Sequence, residues 1–166
     1  MNLVDYFRDM GCDYFHEYSE AYGKLSVKNR SVTIVGGDCG SSALYFLLRG
    51  AKKIVSFEKQ EKLNQLFLKV CKDFGICDKV EVHGEWHGQY PQTDILVVDC
   101  EGCEKDLDVN QLNRYKEYCI AIHEWTENRV QLMKKLETKN LIFTYITNDG
   151  KEIMLCKLDN IYMPIS

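Results

Sequence analysis

Between Ser31 and Trp125 the chain keeps returning to short β-branched runs and, with one exception, leaves each of them along an amphipathic stretch. The runs are "SVTIVG", "KIVSFE", "KVEVHGEW", "TDILVVDC" and "YCIAIHEW". Runs of this kind without polar alternation read as strands buried on both faces. The stretches between them, "SSALYFLLR" and "KQEKLNQLFLKVCKDFG", carry helical periodicity and end at Gly50 and Gly75. The third run passes to the fourth through Pro91 without a helix; a shorter helical stretch lies near residues 109–116. Such alternation predicts a mainly parallel sheet with helices on both faces. "TENRVQLMKKLETKN" predicts a further helix, with Thr126 as its cap. "LIFTYIT", the turn "NDG" and "KEIMLCKL" predict an antiparallel hairpin at the end of the chain. Residues 3–23 read as one helix on which Tyr14, Tyr18 and Tyr22 form an aromatic stripe, for packing or as a lid.

At 166 residues the chain is expected to form a single domain, with an N-terminal helix in residues 1–24 and a core over 31–158. No apolar run reaches the roughly 20 residues that span a bilayer. The N-terminus lacks a basic-then-apolar leader pattern, so a cytoplasmic protein is expected. A net charge of −4 argues against a dedicated nucleic-acid binder. The eight cysteines read as buried thiols. A Cys71–Cys77 disulfide is the alternative if the chain comes from a hyperthermophile.

In open sheets ligands sit beyond the carboxyl ends of the strands. The chemistry is therefore expected after Val35, Phe57, His83, Val98 and Ile122. The first of these loops holds Gly36, Gly37, Asp38 and Gly40; the second begins with Glu58 and Lys59. The third holds Gly84, Glu85 and Trp86, and the fourth Asp99, Glu101 and Glu104. Glu58 stands where an acidic side chain can accept both hydroxyls of an adenosine ribose. Glu85 can accept from an exocyclic amine, and Trp86 offers a flat apolar face. Each has a structural alternative: turn glycines, a Glu58 helix cap, a core Trp86, and Glu101 and Glu104 as loop caps. A dinucleotide site wants glycine where Asp38 stands, and a carboxylate there repels pyrophosphate. A phosphate-free cofactor carrying a sulfonium and an ammonium, S-adenosylmethionine, fits an acidic cradle better.

The order "VTIVGGDCG", "IVSFEKQEKLNQLFLKV", "VEVHGEW", "TDILVVDCEGCE" and "CIAIHEW" resembles a class I S-adenosylmethionine-dependent methyltransferase, and within that class the FkbM family. Asp99-Cys100-Glu101-Gly102-Cys103-Glu104 is similar to that family's D-x-E-G-x-E segment. The resemblance covers about residues 31–158. It implies a Rossmann-like α/β/α sandwich with a seven-stranded sheet whose last strand is inserted antiparallel, and O-methyl transfer. Three positions depart from the family pattern: Ile34 replaces an acidic residue, Lys59 a proline, and Ile122-His123-Glu124 a Glu-x-His order. Asp99 and Glu101 are expected to orient an acceptor and His123 to act as base. The acceptor is not legible, and closure of the site by a second copy of the chain is one arrangement for so small a domain. A degenerate binding subunit and a nicotinamide-dependent oxidoreductase are the alternative readings. No metal site is expected. Cys100 and Cys103, with Cys39 and with His123 or His83 and His87, could ligate zinc, but one C-x-x-C without a second pair is a weak signal.

Overall fold

The computed structural model describes residues 1–159. Seven strands form one sheet in the order β3-β2-β1-β4-β5-β7-β6. β1 (Ser31–Val35), β2 (Lys53–Phe57), β3 (Val80–His83), β4 (Ile95–Val98) and β5 (Glu117–His123) run parallel. β6 (Leu141–Ile146) and β7 (Glu152–Lys157) form the expected hairpin, and β7 inserts antiparallel between β5 and β6. β4 and every residue of β5 are buried, which is why Ile95–Val98 and Tyr118–Ile122 are apolar without alternation.

The pleat sends alternate residues into two cores. Val32, Ile34, Ile54, Ile95 and Val97 pack with residues of α3 (Ser41–Leu48) and α4 (Glu61–Asp73). Val35, Val55, Leu96, Val98 and Ile120 pack on the other face with Leu112 of α5 (Val109–Leu112) and Leu132 of α6 (Arg129–Lys135). The architecture is a three-layer α/β/α sandwich. Full burial of Phe46, Phe67 or Ile120 stabilises it by about 1.5–3 kcal/mol each.

The N-terminal segment differs from the expected single helix. α1 (Leu3–Met10) stops at Gly11, whose φ of 93° is left-handed, and the amides of Gly11 and Cys12 bond back to Arg8 and Phe7. A short 3₁₀ turn and α2 (Tyr18–Tyr22) follow. The aromatic stripe is therefore split: Tyr18 and Tyr22 are buried, while Tyr14 is exposed. Thr126 likewise caps nothing; α6 begins after Asn128, and the Thr126 hydroxyl goes elsewhere.

The cysteines correct another expectation. None is a free thiol: they form Cys12–Cys39, Cys71–Cys77, Cys100–Cys103 and Cys119–Cys156 disulfides. The spacing gave no framework because two of these pairs join segments 27 and 37 residues apart that meet only in the fold.

Candidate functional site

The strand order reverses between β1 and β4, and a pocket of about 890 Å³ opens beyond the carboxyl ends of the strands at that point. Its size is that of a ligand site. Eight carboxylates and two lysines line it.

The glycine turn forms one wall. Gly36 has φ of 95°, and a Cβ there would lie 2.0 Å from the main-chain oxygen of Asp99, so only glycine lets the first loop pass the end of β4. The amides of Gly36 and Gly37 both donate to the Phe57 carbonyl, locking this turn to the end of β2. Gly36 and Asp38 line the pocket; Gly37 and Gly40 lie behind it. Gly40 (φ 89°) packs on the Phe67 ring of α4 and starts α3. These two glycines serve the loop's path and do not face a ligand.

Glu58 is nearly buried and folds over the same turn, its oxygens accepting the amides of Asp38 (3.0 Å) and Gln60 (2.9 Å). Asp38 adopts φ of 51°, a left-handed conformation uncommon for a non-glycine residue. Burial, and then the Glu58 charge, push the Asp38 carboxyl above its ordinary range. Lys59 and Glu85 line the pocket from exposed positions. Trp86 is both wall and core: its ring is buried and its indole N–H donates to the Gln89 carbonyl at 2.6 Å. Gly84 is exposed and outside the lining.

Asp99 and Glu101 stand at the other end, beyond β4, with Glu101 also left-handed at φ 51°. Burial and the neighbouring Glu152 charge hold the Asp99 carboxyl well above the usual carboxylate range. His123 closes β5 as a buried residue just behind the lining. Its Nδ1 lies 2.7 Å from Oε1 of Glu104, which also accepts from the Thr126 hydroxyl at 2.6 Å; the other Glu104 oxygen accepts from the Gly102 amide at 2.7 Å. Burial alone would raise the Glu104 carboxyl, but these donors hold it at about 2. Burial would lower His123, and Glu104 raises it above its ordinary value. Trp125 stacks on the imidazole at 4.8 Å and lines the pocket.

Sequence reasoning missed Glu152, which reaches the pocket from the first position of β7 and pairs in register with His123. The signal lay in the predicted hairpin, but its register against β5 was not legible. Sequence reasoning placed Glu104 in the loop after β4, with a loop cap as the alternative, and did not foresee that the fold makes it the partner of His123. The zinc reading fails, because the sulfurs of Cys39, Cys100 and Cys103 are all in disulfides.

No family model matches the chain. Over 160 residues, 95% of this chain and 100% of the relative, it is 60% identical to uncharacterized protein 158B of Sulfolobus islandicus rod-shaped virus 1. This chain belongs to that viral protein's family. Among solved structures, the family fold is similar to a dimethyladenosine transferase from Plasmodium falciparum, with a TM-score of 0.66 at 13% identity over 86% of this chain. The chain spans 61% of that transferase's length. It is also similar to fibrillarin from Aeropyrum pernix, solved with natively bound S-adenosyl-L-methionine, with a TM-score of 0.60 at 16% identity over 86% of this chain and 74% of fibrillarin. At such identities the likeness carries the fold: the viral family has the Rossmann-like fold of class I methyltransferases. No helix among the described residues is long and apolar enough to cross a membrane.

Proposed function

We propose that the protein binds S-adenosylmethionine and transfers its methyl group to an oxygen acceptor, in the manner of the FkbM-like enzymes its D-x-E-G-x-E segment resembles. The observation that carries this reading is the pocket's charge. Eight carboxylates line it, and one of them, Asp38, stands where a phosphate-binding loop needs glycine. A ligand with a sulfonium and an ammonium gains from that field; a pyrophosphate or a nucleic-acid backbone is repelled by it.

In this reading Glu58 receives the ribose hydroxyls, Glu85 and Trp86 border the adenine, and Asp38 faces the methionine end. Lys59 covers the mouth. The acceptor approaches from the Asp99, Glu101 and His123 side. Transfer is an in-line displacement. The acceptor oxygen's lone pair forms the new bond to the methyl carbon as the carbon–sulfur pair returns to sulfur, leaving a neutral thioether, and the hydroxyl proton passes to solvent. The chain's main contribution is alignment of the two reactants on one rigid sheet edge.

Calorimetric titration with S-adenosylmethionine and S-adenosylhomocysteine, in buffer containing a chelator, tests the reading. Micromolar binding of both is expected, weakened roughly 10- to 100-fold by Glu58→Ala, as for loss of charged hydrogen bonds. Glu58 also holds two loop amides, so the exposed Glu85→Gln is the second variant, with a smaller loss expected. Absence of binding by the unmodified protein overturns the proposal and leaves a cofactor-free binding module.

A further inference from the structure

Three side chains from three neighbouring strands converge beside the proposed acceptor end. The ligand atoms of Asp99 after β4, His123 at the end of β5 and Glu152 at the start of β7 all lie within 4.8 Å of one another. The two faces of the imidazole edge are treated differently. Nδ1 is gripped by Glu104, a fully buried carboxylate that is itself fixed by Thr126 and Gly102. In the neutral ring the proton therefore sits on Nδ1, and Nε2 keeps its lone pair. Nε2 has no hydrogen-bond partner among the described residues; its nearest polar neighbour is Glu152 Oε2 at 3.7 Å. His123 is only 6% exposed, and this edge of its ring faces two half-buried carboxylates.

No lysine or arginine is paired with Asp99 or Glu152 among the described residues. A histidine acting only as base needs one orienting carboxylate, and Glu104 supplies it. Asp99 and Glu152 then crowd one another beside the free nitrogen, their ligand atoms within 4.8 Å of it and of each other. A cation bound by both carboxylates and by Nε2 removes the repulsion and uses the lone pair. Orientation of a ligating histidine through its other nitrogen by a buried carboxylate is the usual support for a metal ligand. The remaining grouping of ligand types, Cys12, Asp38 and Cys39, offers no such site, because its two sulfurs are bonded to each other.

We propose that Asp99, Nε2 of His123 and Glu152 hold a divalent first-row cation, with coordination positions left open toward the pocket for an oxygen of the acceptor. One imidazole and two carboxylates without sulfur suit Mn²⁺ and its neighbours better than a thiolate-seeking zinc site. What the cation does there rests on the methyltransferase reading; whether it binds does not. The acceptor hydroxyl, held on the cation, releases its proton to bulk water, and the resulting oxygen attacks the methyl carbon. His123 is then a ligand and not the base.

The test is titration of the oxidised, chelator-stripped protein with MnCl₂ alone, with free Mn²⁺ counted by electron paramagnetic resonance. One bound ion per chain is expected. His123→Ala and Glu152→Gln should weaken binding by at least about 10-fold, and Glu104→Gln, which touches no metal, by roughly 10- to 100-fold. The exposed Glu61→Gln should bind as the unmodified protein does. Glu152→Gln is isosteric and half-exposed, and its melting curve checks folding if His123→Ala proves unstable. No Mn²⁺ binding, or binding undiminished by Glu152→Gln and Asp99→Asn, overturns the proposal. Because the cofactor titration is run in chelator and this one without cofactor, either proposal can fail while the other stands.

Discussion

The two ends of the pocket are both acidic, yet they handle their charge in opposite ways. At the glycine-turn end the main chain does the work. Glu58 takes two amides, and the turn itself hangs from the Phe57 carbonyl. At the β4–β5–β7 end side chains do it: Glu104 is satisfied by His123, Thr126 and one amide, while Asp99 and Glu152 are left against each other. A cradle made of backbone keeps its shape through most substitutions, because every residue supplies the same N–H and C=O. A cluster made of side chains stands or falls with individual residues. The difference teaches which half of the pocket is shaped by backbone and which depends on individual side chains.

The sharpest way to break the comparison is Glu104→Ala. It orphans the donors on His123, Thr126 and Gly102 around a fully buried carboxylate, and should cost about 3–5 kcal/mol of stability, read by denaturant unfolding. Loss below about 1 kcal/mol would mean that the side-chain end is not held as described. Gly36→Ala tests whether the two ends are mechanically one. Its new methyl meets the Asp99 carbonyl at a left-handed φ, so strain of about 1–3 kcal/mol is expected, with cofactor and Mn²⁺ affinities falling together. Separate responses would show two independent half-sites.

The smallest effect should be electrostatic, at Asp38. Its folded carboxyl is raised by burial and by Glu58, so its contribution is fully present below the unfolded value and is lost as pH rises through the folded one. The cofactor-free protein should therefore lose stability from this group as pH rises above about 4. Asp38→Asn, which tolerates the same left-handed backbone and cannot ionise, should flatten that part of a melting-temperature profile, by less than about 1 kcal/mol. An unchanged slope would place the burden on another acid.

The sheet was legible because its information is local. Each β-branched run is also a strand, and the expected strand ends at Val35, Phe57, His83 and Val98 are the observed ones, with β5 extending one residue further to His123. The backbone end of the site was nearly as readable: the turn and Glu58 follow from strand ends alone, as does Asp99 at the other end. What the sequence hid depends on distant pairing. Glu152 reaches the pocket only because β7 slides in beside β5 at one register. Glu104 was a loop residue with no visible partner until Thr126 and His123 were brought to it. Cys12 and Cys39 looked like separate small hydrophobes until Gly11 broke the first helix and turned the chain toward the glycine loop. The FkbM-like pattern was read from the D-x-E-G-x-E run, which carries the loop geometry but not the identity of what docks there.

The insertion of β7 between β5 and β6 also sets an order of events. A chain emerging from synthesis can lay down β1 to β5, and with them the glycine turn and Glu58, before its last strand exists. Glu152 and the Cys119–Cys156 bridge arrive only when the hairpin wedges into its slot. The glycine-turn end is thus shaped early and the β4–β5–β7 end is finished last, so a partly made molecule holds only half of its pocket.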